Sequence, residues 1–258
     1  GDTDLLAFTC MFSGEWPLNR LLIDAVHKKF PRVPKIAGGE HVTALPEYSL
    51  RDCPALNCIA SGEGERVLLE ICDAVRTGES PLHVPGVNGL DQSGKYVSNG
   101  ISPRVEEVDD IPWPAWDMAS LETYWKSGKS HGSATLRDMP MMASRGCPYQ
   151  CTFCSNPQMW TTRYILRNVD DVLDEIEHYI KTYHVTGLQF YDLTAITKKS
   201  WTLEFCNKMI QRGIKIKWSL PSGTRSEVLD DDVLPLLART NCSYLVYAPE
   251  SGSPDTLQ

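Results

Sequence analysis

Cys147, Cys151 and Cys154 stand in the run Ser144-Arg145-Gly146-Cys147-Pro148-Tyr149-Gln150-Cys151-Thr152-Phe153-Cys154, a C-x-x-x-C-x-x-C spacing that offers three thiolates and no fourth. Soft thiolates suit iron-sulfur clusters and zinc. A 4Fe-4S cube normally takes four cysteines, so three would leave one iron open to another ligand, and an open iron implies chemistry rather than electron storage. Structural zinc needs four Cys or His ligands, yet no His lies between His131 and His178. Covalent haem attachment requires a His directly after the second Cys of a C-x-x-C pair, and Ser155 follows Cys154. The bacterial ferredoxin run has a further Cys before Pro; Asn156-Pro157 stands here instead. The other six of the nine cysteines read as scattered small hydrophobes.

The elements that must position these thiols follow a βα rhythm. Leu5 to Cys10 reads as a buried strand, followed by a helix with Leu18, Leu21, Leu22, Ala25 and Val26 on its apolar face. Lys35-Ile36-Ala37, ending at Gly38-Gly39, and Asn57 to Ala60 read as two more strands. Ser61 to Glu65 then opens a helix carrying Val67, Leu68, Ile71, Cys72 and Val75. Asp91-Gln92-Ser93-Gly94 reads as a hairpin turn. Residues 104–140, acidic and then rich in Pro and Trp, read as a linker whose aromatics pin it to a domain face.

From Met141 the rhythm returns. Met141 to Ser144 reads as a strand feeding the cysteine loop. Asn168 caps a helix with Val172, Leu173, Ile176, Ile180 and Tyr183 on its buried stripe and Gly187 at its end. Strands are expected at 188–192, 214–219 and 244–247, with helices at 201–212 and from about Asp231. Four βα repeats with polar loops at their carboxyl ends predict part of a βα barrel, in which active sites gather at that edge. Asp192, Ser222, Arg225, Glu250 and Ser251 are the residues expected there.

The sequence has 258 residues, 42% of them hydrophobic, enough for one large or two ordinary domains. It lacks an initiator Met and reads as a piece of a longer protein. No stretch approaches the roughly 20 apolar residues that span a bilayer. Nine cysteines, an odd number, speak for a reducing compartment and a soluble, cytoplasmic protein. A net charge of −8 disfavours a nucleic-acid partner.

The tract CPYQCTFC after Ser-Arg-Gly, with Phe153 before the third Cys, resembles the signature loop of the radical S-adenosylmethionine (SAM) enzymes. That resemblance implies a 4Fe-4S cluster on Cys147, Cys151 and Cys154, whose open iron binds the methionine part of SAM. Its reduction releases a 5'-deoxyadenosyl radical, and the proximity makes the step oriented and unimolecular. Phe153 would lie against adenine. Pro249-Glu250-Ser251-Gly252-Ser253 resembles the fourth-strand segment that meets ribose and methionine in this family. Many relatives carry two adjacent acids where this chain has Asp192-Leu193.

Gly38-Gly39-Glu40-His41 followed by Ser61-Gly62-Glu63-Gly64-Glu65 resembles the later half of a cobalamin-binding Rossmann-like domain. Paired glycines allow close backbone approach to a ligand, and helix N-termini suit a phosphate. The implied cobalamin set is Gly38, Gly39, Glu40, His41, Gly62 and Glu63, with Thr9, Met11, Phe12 and Ser13 beside the corrin. His41 stands either as a cobalt ligand or as a loop hydrogen-bonder, and no D-x-H-x-x-G motif appears.

Together the halves resemble cobalamin-dependent radical SAM enzymes. The fold class implied is α/β: an N-terminally truncated cobalamin-binding Rossmann-like domain at 1–103, the linker 104–140, and the first four βα units of a C-terminally truncated TIM-like radical SAM barrel at 141–258. The implied activity is methylation of an unactivated carbon. The alternatives are an oxidative ring closure like that of the anaerobic magnesium-protoporphyrin monomethyl ester cyclase, and a tRNA methylthiotransferase whose second cluster would use Cys10, Cys53 and Cys58. The acidic balance and the GGEH loop speak against the last. The implied partners are a small-molecule substrate and an external one-electron reductant such as flavodoxin or ferredoxin.

Overall fold

The computed structural model describes residues 3–128 and 135–256. The chain divides into two compact units, Gly1–Glu106 with Phe153–Trp160, and Glu107–Thr152 with Thr161–Gln258. Among the described residues no helix is long and apolar enough to cross a membrane.

In the first unit, β1 (Leu6–Thr9), α1 (Trp16–Lys29), β2 (Lys35–Gly38), α2 (Glu40–Ala44), α3 (Pro46–Asp52), β3 (Cys58–Ala60) and α4 (Gly64–Thr77) precede the pair β4 (Val87–Leu90) and β5 (Tyr96–Val97). The sheet order is β1-β2-β3-β4-β5. The first three strands are parallel and the last two pairings antiparallel. The turn from β4 to β5 closes because Asp91 Oδ1 accepts from the backbone N–H of Ser93 at 2.8 Å and of Lys95 at 2.9 Å. Ile36, Ile59 and Ile71 bury between the sheet and its helices.

Two expectations fail in this unit. β1 alternates rather than burying throughout, with Ala7 and Thr9 exposed. The apolar face expected of α1 is turned outward: Leu18 is 70% exposed, Leu21 and Leu22 more than half, while Trp16 and Ile23 are buried. Helical spacing reports which side chains share a face, not which face meets the sheet. Trp16 decides it, because its Nε1 donates to Asp52 at 2.9 Å and its ring lies 4.8 Å from that of His41.

In the second unit α5 (Leu121–Lys126) leads to β6 (Asp138–Met141) and β7 (Ser144–Arg145). Then follow α6 (Asn156–Met159), which belongs to the first unit, β8 (Ile165–Leu166), α7 (Val169–Tyr183), β9 (Gly187–Phe190), α8 (Lys199–Arg212), β10 (Lys217–Thr224), α9 (Val233–Arg239) and β11 (Cys242–Tyr247). The sheet order is β11-β10-β9-β6, all parallel, with β7 and β8 a separate antiparallel pair. Each strand lies beside its successor in sequence, as successive βα units require. An aromatic core holds the helices on it: Trp201 stacks on Phe205 at 5.2 Å, and Phe205 meets Phe190 and Trp218 edge-on at 5.8 and 5.5 Å.

The first strand of this sheet begins at Asp138, inside the expected linker, and ends at Met141 where it was expected to begin. Asp138 and Pro140 disguise it. The buried Asp138 carboxylate is satisfied by the Thr135 N–H and hydroxyl, each at 2.8 Å, so a charged residue can sit in a strand. Residues 107–128 and 135–140 join the second unit, while 129–134 lie outside the described residues. The aromatics there are tied down: Trp113 Nε1 donates to Asp171 at 3.0 Å, Trp116 Nε1 to the Tyr179 hydroxyl at 2.7 Å, and Trp125 Nε1 to Asp138 O at 2.8 Å.

α7 is capped as expected by Asn168, whose side chain accepts from Asp170 N at 2.8 Å. It ends on His184 in the left-handed conformation, φ 54°, rather than at Gly187. Gly187 instead opens β9, where a Cβ would fall 2.1 Å from Asp138 Oδ1.

Candidate active site

The carboxyl edge of the second sheet is built from three strand ends. β10 loses its regular register against β11 between Leu220 and Thr224, a bulge of the kind that re-aims side chains at strand ends. Thr224 Oγ1 donates to Ala195 O at 3.1 Å and pins the end of the strand. Arg225 emerges next. Its guanidinium carbon sits 3.9 Å from the centre of the Tyr149 ring, and its Nη2 donates to Cys151 Sγ at 3.6 Å. Tyr149 was not singled out from the sequence, although its place between Cys147 and Cys151 was the available signal. Burial and Glu227 push its hydroxyl above the ordinary tyrosine range.

Asp192 is placed differently from expectation. It is fully buried just beyond β9 and accepts from the Ala143 N–H at 3.0 Å and from the Ser144 hydroxyl. Its carboxylate therefore holds the chain that leads to Cys147 rather than facing a ligand. Desolvation pushes its carboxyl up to about 6, against those same hydrogen bonds, which favour the charged form. Ser222 is exposed and lies within β10. Glu250 is exposed with φ 64°, and Ser251 is half-buried, its Oγ accepting from Ser253 N at 3.0 Å. Arg225 is thus the expected SAM-site residue that the fold brings against the cysteine loop.

By donor chemistry the loop's three thiols suit a thiolate-bound group. Among the described residues no cysteine is in a disulfide. Burial pushes the Cys10 and Cys206 thiols up to about 11 and those of Cys58 and Cys242 to about 12, which disfavours the ligating thiolate. Cys147 and Cys151 are half-buried and Cys154 exposed, and Cys154 Sγ accepts from Asn156 N at 3.4 Å. Donors thus aim at the sulfurs of Cys151 and Cys154. Among the described residues no three His, Cys, Asp or Glu side chains form a ready-made site for a metal ion. A second cluster on Cys10, Cys53 and Cys58 is disfavoured by the burial of all three.

In the first unit a cavity of about 470 Å³ opens at the carboxyl ends of β1, β2 and β3. Thr9, Met11, Gly38, Gly39, Glu40 and Gly62 of the expected cobalamin set line it. Ala7, Thr43, Leu68, Met159 and Trp160 also line it and were not anticipated. Trp160 Nε1 donates to Glu40 at 3.2 Å, which ties the segment after the cysteine loop to the cavity rim. Ligand crevices of open α/β sheets lie at this edge.

The remaining members of that set have other partners. Phe12 is exposed and is not among the residues that line the cavity. His41 is buried, with its ring nitrogens 2.9 Å from Ser13 Oγ and 3.5 Å from Ser49 Oγ, and burial pulls its pKa below the ordinary value. One nitrogen thus meets Ser13 in the loop after β1 and the other faces Ser49 in α3. Glu63 is buried in an ion pair with Arg104 at 3.1 Å and accepts from Val105 N. Gly39, at φ 110°, is demanded by the protein itself, since a Cβ there would stand 2.6 Å from Cys10 O.

Residues 141–258 match the family model of the radical SAM superfamily. That match spans just under half of the chain. The match covers the cysteine loop, β7, and all of the sheet from β9 to β11. The chain is 29% identical over 225 residues to an uncharacterized methyltransferase of Pyrococcus horikoshii, covering 86% of this chain and 46% of that protein. It is 28% identical over 226 residues to the anaerobic magnesium-protoporphyrin IX monomethyl ester cyclase of Rubrivivax gelatinosus, covering 86% and 40%. The chain therefore spans less than half the length of these relatives. The radical SAM methyltransferase TsrM of Kitasatospora setae, solved with tryptophan and a SAM analogue, superposes on 100% of this chain and 50% of its own with a TM-score of 0.75 at 17% identity. At that identity the likeness is one of fold.

Proposed function

We propose that this protein is a cobalamin-dependent radical SAM methyltransferase acting on a small molecule at an unactivated carbon. The observation that carries the reading is the loop of three cysteines, without a fourth, that follows β6 of a parallel sheet, in a chain whose first unit has a cavity at the carboxyl edge of its own sheet. TsrM, of the same fold, is described with cobalamin and a [4Fe-4S] cluster bound. When bound, such a cluster supplies the electron that cleaves SAM to a 5'-deoxyadenosyl radical, and cobalamin supplies a methyl carrier.

The chain's own residues have these parts. Cys147, Cys151 and Cys154 hold the cluster. Phe153, Ser222, Glu250 and Ser251 meet SAM, the carboxylate of Glu250 suiting ribose hydroxyls or the cationic end and the hydroxyls suiting the carboxylate. Asp192 serves the same site indirectly by holding Ala143 and Ser144. Thr9, Met11, Gly38, Gly39, Glu40 and Gly62 form the wall for the corrin. The electron comes from an external one-electron reductant of the flavodoxin or ferredoxin class, and the oxygen sensitivity of such a site suits the cytoplasm.

Anaerobic reconstitution of the protein with iron, sulfide and cobalamin, followed by analysis of SAM products, tests the reading. S-adenosylhomocysteine together with 5'-deoxyadenosine is the result expected of methyl transfer. The likeness to the Rubrivivax gelatinosus cyclase, 28% against 29%, favours oxidative ring closure as the second reading. Deoxyadenosine without S-adenosylhomocysteine would select it.

A further inference from the structure

We propose that Arg225 is a positioning residue that acts through Cys151 to raise the reduction potential of the cluster. The inference rests on the reading of the cysteine loop as a 4Fe-4S site. Hydrogen bonds to the sulfurs and the net charge around a cluster are among the factors that set its potential. Arg225 supplies both: its Nη2 donates to Cys151 Sγ at 3.6 Å, and its charge cannot be lost by deprotonation. One electron from the external reductant makes the cluster and its thiolates more negative. No protein bond forms or breaks in that step, and the guanidinium keeps its proton.

The way the cation is held supports this role. A carboxylate would position a guanidinium equally well but would neutralise it. Here the side chain lies over the Tyr149 ring at 3.9 Å, and a ring face attracts a cation while leaving its charge and its N–H groups available. Glu227, the acid that acts on Tyr149, is exposed, so water screens it. The bulge at the end of β10 and the Thr224 to Ala195 bond fix the point from which Arg225 leaves the sheet. Tyr149 and Cys151 lie two residues apart in the same loop, so ring and sulfur are presented together. A lysine could keep the charge, but it lacks the planar fork that stacks and donates at once.

The test is the midpoint potential of the cluster, followed by electron paramagnetic resonance in anaerobic protein without SAM, which separates this role from any contact with SAM. In Arg225→Met the reduced-to-oxidised ratio at a fixed solution potential is expected to fall about tenfold, equal to a midpoint about 59 mV lower for a one-electron couple. Arg225→Lys is expected to fall by less. Tyr149→Leu, which releases the clamp and leaves every cysteine and the arginine in place, is expected to shift the same way and decides the matter if Arg225→Met does not load iron. Equal midpoints in wild type and in the variants that carry a full 4Fe-4S complement overturn the inference. A wild-type protein that assembles no 4Fe-4S cluster overturns instead the reading of the loop on which it rests.

Discussion

Asp192 accepts the backbone N–H of Ala143 at 3.0 Å across 49 residues of sequence, so the end of β9 fixes the chain that delivers Cys147. Because its folded pKa of about 6 lies above the ordinary Asp value of about 3.9, the ionised carboxylate costs the fold. Its stabilising contribution is complete below the unfolded pKa and is lost as pH rises through about 6. Asp192→Asn should remove this dependence. Urea midpoints of wild type and variant, taken at several values from pH 4 to pH 7, are expected to diverge in favour of the variant as pH rises. Parallel curves would show that the carboxyl does not titrate in this window.

Cys151→Ala removes a half-buried thiol on a loop, with little packing to lose. The fold is expected to persist by circular dichroism while iron content drops and SAM cleavage disappears. Undiminished 5'-deoxyadenosine production would refute the assignment of the loop.

Glu63 and Arg104 pair with side chains only 2% and 9% exposed, and removing one partner strands the other charge in the first unit. Glu63→Ala should cost about 3–5 kcal/mol in urea unfolding, the range for breaking a buried pair. A loss below about 1 kcal/mol, the usual worth of a surface pair, would mean that water reaches Arg104.

Gly39→Ala forces a side chain onto a φ of 110° and against the Cys10 carbonyl. Backbone strain of this kind costs on the order of 1–3 kcal/mol. Relief requires Cys10, between the lining residues Thr9 and Met11, to move, so the cavity wall should distort and corrinoid binding weaken together with stability. Thermal unfolding and cobalamin titration on the same preparation check both.

Ala7 is exposed on β1 and lines the cavity. Ala7→Trp is therefore expected to fill space rather than disturb a core, abolishing corrinoid uptake while leaving iron content unchanged. Retained cobalamin absorbance in the purified variant would move the corrin elsewhere.

Much of the architecture was legible because the signals are local. The three-thiol spacing, the Asn168 cap, the turn at Asp91 and the succession of apolar runs each lie within a few residues of what they specify. Strand edges were less so: Asp138 hides the start of β6 because its carboxylate is satisfied by Thr135, a pairing that single-residue polarity does not reveal. The outward face of α1 was misread because an apolar stripe carries no label for what covers it.

By itself the sequence determined the three-thiol spacing, the alternation of strands and helices, and the polar residues due at strand ends, since residue type and spacing are properties of the chain alone. Tertiary structure alone decided how those residues are spent. It turned Asp192 inward to Ala143, closed Glu63 on Arg104, committed both His41 nitrogens to serine hydroxyls and laid Arg225 between Tyr149 and Cys151. The physical reason is that a polar side chain goes to whichever partner compensates its desolvation, and for these groups that partner is brought near only when distant strands pair.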